Sequence, residues 1–511
     1  MQKRLIWPTA TAALALIAAP SLFAQSKERV IEELPPPSQR LAEAMVQIER
    51  IKAYDDAGPM LNAVITYDPK ATFNVDRAAD TPLQGRTVLI KDNIETRDFP
   101  TTGGSLALKD NRTGRDAPLV ANLRAAGGVV LGKTNLSEWA NIRSDGSTSG
   151  WSAVGGLTRN PFATDRNSCG SSSGSGAAVA AGFAWAAIGT ETNGSISCPA
   201  SINGVVGFKP SVGVVSRRHV IPISETQDTA GPMTRTVYDA ALLLSAMAGE
   251  DEGDPVTMIA PRMADYTLGL DTASLKGVRI GVMRKQIGSR DDVAAVFEAA
   301  LADLERAGAV LVDIEFEPNR AMYRDSFTVL MYELRAGMEA YLGSIPAIGG
   351  DEAATPRNLA DLIAFNKANA AAEMRWFGQE LFEQALETTD TEAYEKARAN
   401  AQTIAGPETI DTLLADNDVK LLIAPTRGPA WVSDLVNGDN FTGSIGFGAP
   451  AAIAGYPHLT VPMGAVEGLP VGISFIGGQW ADYTVLKAGA AYERARTAEL
   501  PEPTFKPWSA E

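Results

Sequence analysis

The stretch Ser168–Ser201 reads SCGSSSGSGAAVAAGFAWAAIGTETNGSISCPAS. Five of its first eight residues are serine, and nothing larger than valine follows until Phe183. The run GAAVAAG has no side chain long enough to cover a surface. It therefore predicts a buried helix of small residues, and AAIGTE behind it predicts a short strand. Working outward, TVLIK (87–91) reads as a strand and APLVANLRAAGG (117–128) as an amphipathic helix stopped by glycine. VVLGK (129–133) reads as the next strand. Strands alternating with helices predict an α/β fold, a sheet covered by helices on both faces.

Behind a Pro-rich break, LPPPSQ, residues 40–54 have helical spacing. From about 290 to 415 the pattern is mostly helical, with DDVAAVFEAALADLERAG and TEAYEKARANAQTIAG as clear examples. Strand character returns in LLIAPT and LTVPMGAVEGLPVGISFIGG. A chain of 511 residues could hold two or three domains. No low-complexity linker interrupts residues 85–500, so residues 25–511 read as one large domain with a mostly helical insertion over about 290–415.

The first residues, MQKRLIWPTATAALALIAAPSLFAQS, have the layout of a secretory signal peptide. Lys3 and Arg4 precede an apolar run, Leu5–Ala19, and small residues lead to an exit at Ala24. Pro8 and Pro20 bracket a segment shorter than the ~18 apolar residues a membrane span needs, and no other run approaches that length. The expectation is an exported, periplasmic chain with no stable membrane association once residues 1–24 are removed. Their removal takes two cations and no acid, moving the net charge from −16 to −18. So acidic a chain has no electrostatic footprint for nucleic acid. Its two cysteines, Cys169 and Cys198, are too few for a disulfide framework and lack zinc spacing. An oxidising compartment would let them pair; two small buried thiols is the reading adopted.

Two familiar patterns turn out to be weak. GGVVLGKT (127–134) matches a phosphate loop, but a helix precedes it and its centre is the most strand-like part. That order is reversed, so the match is fortuitous. GSSSG (170–174) matches a nucleophile elbow around Ser172. Such an elbow needs a histidine base late in the chain, following an acid. Of the two histidines, His458 sits in an apolar Pro-bounded strand context and His219, in SRRHVIP, precedes any C-terminal acid. Lysine is the remaining candidate base. Its ordinary pKa near 10.4 makes it useless at neutrality, and burial lowers it. Lys91 ends an apolar strand, where it would be either a desolvated base or the partner of Asp92 or another acid. Ser195 follows a turn, Thr192-Asn193-Gly194, whose successive N–H groups can converge on one oxygen.

With these residues stand VLIKDNI, PTTGGS, AAGGVVLGKTNLSEWA, GGLTRNP, CGSSSGSGAAVAAG, GTETNGSISCPASINGVVGFKPSVGVVSR and DTAGPM. In that order, over about residues 85–235, they make the sequence resemble the amidase signature family of serine hydrolases. The resemblance implies a mixed, twisted sheet covered by helices on both faces, with no cofactor and no metal. It implies Ser195 as nucleophile, Ser171 as a bridging serine after a cis peptide bond, and Lys91 as base. Ser171 would pass the proton of Ser195 to a neutral Lys91, so no histidine is required. The backbone N–H groups of Thr192, Asn193, Gly194 and Ser195 would form the oxyanion hole. Two positions depart from the family's commonest pattern: Ser173, usually glycine, and Asn193, usually glycine or aspartate.

Outside the signature, LMYELRAGMEAYL, WFGQELFEQA and IAPTRGPAW lean toward the family's peptide-amidase branch. That likeness implies a monomer acting on a small-molecule or peptide amide, the C-terminal amide of peptides foremost. Aliphatic, aryl or acylated amides are the alternative. A transfer-RNA amidotransferase subunit of the same family would be cytoplasmic, against the N-terminal signal and the acidic charge. A binding protein on this fold would be expected to lack Lys91, Ser171 or Ser195, and all three are present. The aromatics Tyr332, Trp376, Phe377 and Trp431 read as core rather than pocket.

Overall fold

TVLIK forms the strand read from its sequence, β2 (Thr87–Lys91), with all five residues buried. It belongs to the chain described by a computed structural model over residues 37–509. The signal-peptide reading of residues 1–24 lies outside the described residues.

β1 (Val64–Tyr67) and β3 (Val129–Thr134) flank β2 on one side and β6 (Ala186–Glu191) on the other. A small separate hairpin is made by β4 (Trp151–Ser152) and β5 (Gly156–Leu157). The middle of the main sheet is β7 (Val206–Lys209) and β8 (Thr229–Thr234), and its far half holds β9 (Arg279–Met283) and β10 (Val310–Ile314). β11 (Leu421–Pro425), β12 (His458–Val466) and β13 (Leu469–Ile476) complete it. The eleven strands run β1-β3-β2-β6-β8-β7-β12-β13-β11-β9-β10. β3, β2 and β6 are mutually parallel, as are β11, β9 and β10, and antiparallel strands join the two groups. The sheet is therefore mixed and covered by helices, as the resemblance implies.

Strand periodicity sends alternate side chains to opposite faces. In β2, Val88 and Ile90 join a core with Leu119 and Leu123 of the helix Pro118–Ala125, while Leu89 joins another with Ala177 and Val179. That second layer is the small-residue helix, Ser173–Ala180, with all eight residues buried. Its composition follows from how closely the neighbours approach. A Cβ added at Gly174 would stand 2.2 Å from the carbonyl oxygen of Ala63, and one at Gly176 would stand 2.9 Å from that of Pro199.

The region 290–415 is mostly helical, including Arg320–Ser344 and Thr391–Ala405, and it also contains β10. The helix Asp291–Arg306 is the crossover between parallel β9 and β10. β10 escapes notice because it is a half-exposed edge strand flanked by helices. The phosphate-loop look-alike is the turn into β3 plus β3 itself, behind a helix, in the reversed order expected.

Candidate active site

The parallel strands β2 and β6 carry their C-terminal ends to one place, where Lys91 meets Thr190. Lys91 is wholly buried. Its Nζ lies 2.8 Å from Ser171 Oγ, 2.8 Å from Thr190 Oγ1 and 3.3 Å from the Thr190 carbonyl oxygen. Asn93 Nδ2 donates to the same Thr190 hydroxyl at 3.0 Å, which fixes its orientation. Burial pulls Lys91 down from the ordinary 10.5 to about 7, against the opposing pull of Asp228 and Glu191. Half of such amines are neutral at neutrality.

The competing reading, that Lys91 pairs with Asp92, fails. Asp92 turns instead to Lys133 of β3, 3.1 Å from Oδ1, and accepts from the amide and hydroxyl of Thr102. Among the described residues, Lys91 makes no ion pair.

Ser171 follows a cis peptide bond to Gly170. Its carbonyl accepts from Ser137 N, and a Cβ at Gly170 would stand 2.1 Å from Ser137 Oγ. The next residue, Ser172, donates its N–H to the carbonyl of Ser195 at 3.1 Å, which brings the two serine segments side by side. Ser172 itself, centre of the elbow pattern, spends its hydroxyl on the Thr190 backbone and has no histidine near. His458 is buried against Ser474 Oγ, and burial lowers it to about 4. His219 has its backbone in the left-handed region, at φ 63°, and its carbonyl accepts from Glu95 N.

Ser195 sits on the turn before the short helix Ser197–Ile202. Gly194 has φ 87°, a conformation that favours glycine, and a Cβ there would meet nothing within 4 Å. The N–H groups of Ile196 and Ser197 donate to Glu191 Oε2 at 2.8 and 2.9 Å. Those of Asn193, Gly194 and Ser195 find no acceptor among the described residues. The turn thus presents free donors over open space, which is what an oxyanion hole requires. Thr192 is tied by its hydroxyl to Asp228 Oδ1 at 2.5 Å, and Asn193 is exposed. Ser173, the other departure from the family's pattern, is buried at the head of its helix.

The cysteines require a correction: Cys169 and Cys198 form a disulfide, not a pair of thiols. Packing the two serine segments together brings their Cα atoms to 6.0 Å, within the span a disulfide bridges. Of the aromatics read as core, Phe377 and Trp431 are buried, while Tyr332 and Trp376 are half-buried and Trp376 lies against Arg375. Tyr332 stacks on Tyr394, Phe377 meets Trp151 edge-on, and Trp431 packs with both cysteines. Sequence reasoning overlooked Asn93, Thr190, Glu191 and Asp228. All four lie in the quoted segments VLIKDNI, GTETNGSISCPASINGVVGFKPSVGVVSR and DTAGPM. Among the described residues, no cluster of three or more His, Cys, Asp or Glu could hold a metal ion. No helix among them is long and apolar enough to cross a membrane.

A protein-family model described as Amidase matches residues 47–486. The chain is 36% identical over 472 residues to a probable amidase from Arabidopsis thaliana, covering 88% of this chain and 86% of that protein. It is 34% identical over 437 residues to a putative amidase from Arthroderma benhamiae, covering 81% and 71%. It superposes on the crystal structure of peptide amidase from Stenotrophomonas maltophilia with a TM-score of 0.85 and 46% identity, over 91% of this chain and 95% of that one. Matches of this length embrace the segments of Lys91, Ser171 and Ser195, and the chain belongs to the amidase signature family, as a hydrolase acting on amide C–N bonds.

Proposed function

We propose that the chain releases ammonia from carboxamides, the C-terminal amide of peptides foremost, through a Ser195–Ser171–Lys91 relay and an acyl-enzyme. The observation that carries this reading is a buried lysine with no ion pair among the described residues, 2.8 Å from a serine hydroxyl beside the nucleophile's turn. In its neutral form Lys91 has two N–H groups and one lone pair. The two oxygens of Thr190 take the N–H groups, leaving the lone pair for the proton of Ser171.

Ser195 Oγ attacks the carboxamide carbon while its proton passes to Ser171, whose own proton passes to Lys91. The negative oxygen of the tetrahedral intermediate rests on the N–H groups of the 192–195 turn. Collapse breaks the C–N bond, and the proton returns from Lys91 through Ser171 to the departing ammonia. Water then repeats the sequence on the ester and frees the acid and Ser195.

The peptide assignment draws its support from 46% identity to a peptide amidase across nine-tenths of the chain. Export to an oxidising compartment is supported by the signal-like N-terminus and by the Cys169–Cys198 bridge. The test is ammonia release from a short C-terminally amidated peptide, run beside acetamide, an anilide and Ser195→Ala. Release from the peptide amide, absent in the variant, is the expected result. Release from the simple amides alone would move the substrate to small-molecule amides, and silence throughout would end the reading.

A further inference from the structure

Asp228 stands in the quoted segment DTAGPM, immediately before β8, and takes no step in the relay described above. Its Oδ1 accepts the hydroxyl of Thr192, first residue of the oxyanion turn, at 2.5 Å. Its Oδ2 accepts the N–H groups of Ile223 and Ser224 at 2.8 and 2.9 Å. All three partners donate, so the arrangement suits a carboxylate and would not suit a carboxylic acid. Desolvation raises the pKa of Asp228, while Thr192, the two amides and Arg217 oppose it.

The loop holding Asp228 is itself clamped from outside. Glu333, buried on the helix Arg320–Ser344, accepts from Ser224 Oγ and from both the amide and hydroxyl of Thr226. The carboxylate is therefore held rigidly on one side of the turn, bonded to Thr192 two residues beyond Thr190, whose hydroxyl and carbonyl accept from Lys91 Nζ.

We infer that Asp228 is a positioning residue of the proposed hydrolase: it anchors the oxyanion turn through Thr192 and balances the positive charge Lys91 acquires with the nucleophile's proton. This rests on the relay proposed above. The charged groups facing Lys91 are few. Asp228 and Glu191 act on it from a distance, and the neighbouring Asp92 is neutralised by Lys133. Arg217, which faces Asp228, is engaged with Asp254.

The test is the rate of Ser195 phosphonylation by a fluorophosphonate as a function of pH, which needs no amide substrate. In the unaltered protein the rate should rise through a midpoint near 7. Asp228→Asn keeps the shape and, with its amide turned toward Thr192, the hydrogen bonds. It should move the midpoint down by about one pH unit, the low end of what a neighbouring opposite charge is worth, and lower the plateau about tenfold or more. Thr192→Val should lower the plateau and leave the midpoint in place. An unmoved midpoint in Asp228→Asn overturns the inference, because a charge that balances Lys91 cannot be removed without shifting its titration. Should that variant not fold, an undiminished plateau in Thr192→Val overturns it equally. Absence of labelling in the unaltered protein would refute the relay itself, and the inference with it.

Discussion

Replacing Lys91 with methionine should make the protein more stable and almost inactive. The buried amine titrates near 7 instead of 10.5, so the unfolded chain binds its proton far more tightly than the folded one. For a base with a lowered folded pKa, the penalty is full below the folded value and fades as pH rises toward the unfolded one. At pH 7 that difference is about 4 kcal/mol, and at pH 9 about 2 kcal/mol. Methionine removes the penalty and keeps the volume, but it forfeits the contacts to Ser171 and Thr190, about 1 kcal/mol each. The variant should therefore be about 2 kcal/mol more stable at pH 7 and near parity at pH 9. Urea unfolding of both chains at each pH measures this, and their difference isolates Lys91 because every other titrating group is shared. Ammonia release should fall about 1,000-fold in the same variant. A stability difference that stays constant from pH 6 to pH 9 would mean that Lys91 keeps an ordinary pKa, and no neutral base would exist for Ser171.

Ser195→Ala should abolish both ammonia release and fluorophosphonate labelling, while Ser171→Ala keeps the nucleophile and slows labelling about 100-fold or more; equal labelling of Ser171→Ala and the unaltered chain would remove Ser171 from the relay. Reducing the Cys169–Cys198 bridge, or replacing both cysteines with alanine, should cost about 3–4 kcal/mol for a loop of this size, read as a lower urea midpoint. An unchanged midpoint would show that packing alone holds the two serine segments. Lys133→Met is the counterpart of Lys91→Met: it strands the buried Asp92 carboxylate and should destabilise by about 3–5 kcal/mol. A Lys133→Met chain as stable as the original would mean that the Asp92 carboxyl is held by Thr102 alone.

The elements nearest the serines were legible because their residues have few alternatives. TVLIK has the length and β-branching of a buried strand, and the eight-residue helix of Gly, Ala, Ser and Val fits only where backbones crowd. β8 was not legible. Its sequence, TAGPMT, contains Gly231 and Pro232, which argue against a central strand by any local rule. It forms because Gly231 lets the Phe208 carbonyl approach to 2.0 Å of where a Cβ would stand, a fact about β7 and not about β8. The disulfide was obscured for a related reason. The cysteines stand 29 positions apart, and only the packing of the Cys169 loop against the helix Ser197–Ile202 makes them neighbours. Thr190, Glu191 and Asp228 are ordinary strand-end and loop residues until the sheet gathers them around Lys91.

Three carboxylates stand around this lysine, and each is engaged by something else. Asp92 is taken by Lys133, Glu191 by the amides of Ile196 and Ser197, and Asp228 by Thr192 and the amides of Ile223 and Ser224. An acid in direct contact would hold Lys91 protonated and close the path for the serine's proton. With no acid nearby, burial alone would depress the amine further and leave it too weak a base to draw a proton from serine. Occupied carboxylates at a distance supply negative potential without a hydrogen bond, and they leave the amine near 7, where it can both take a proton and return it. The two buried lysines on adjacent strands therefore divide the work by their partners. Lys133 carries a paired charge that holds the loop, and Lys91 carries an unpaired one that comes and goes.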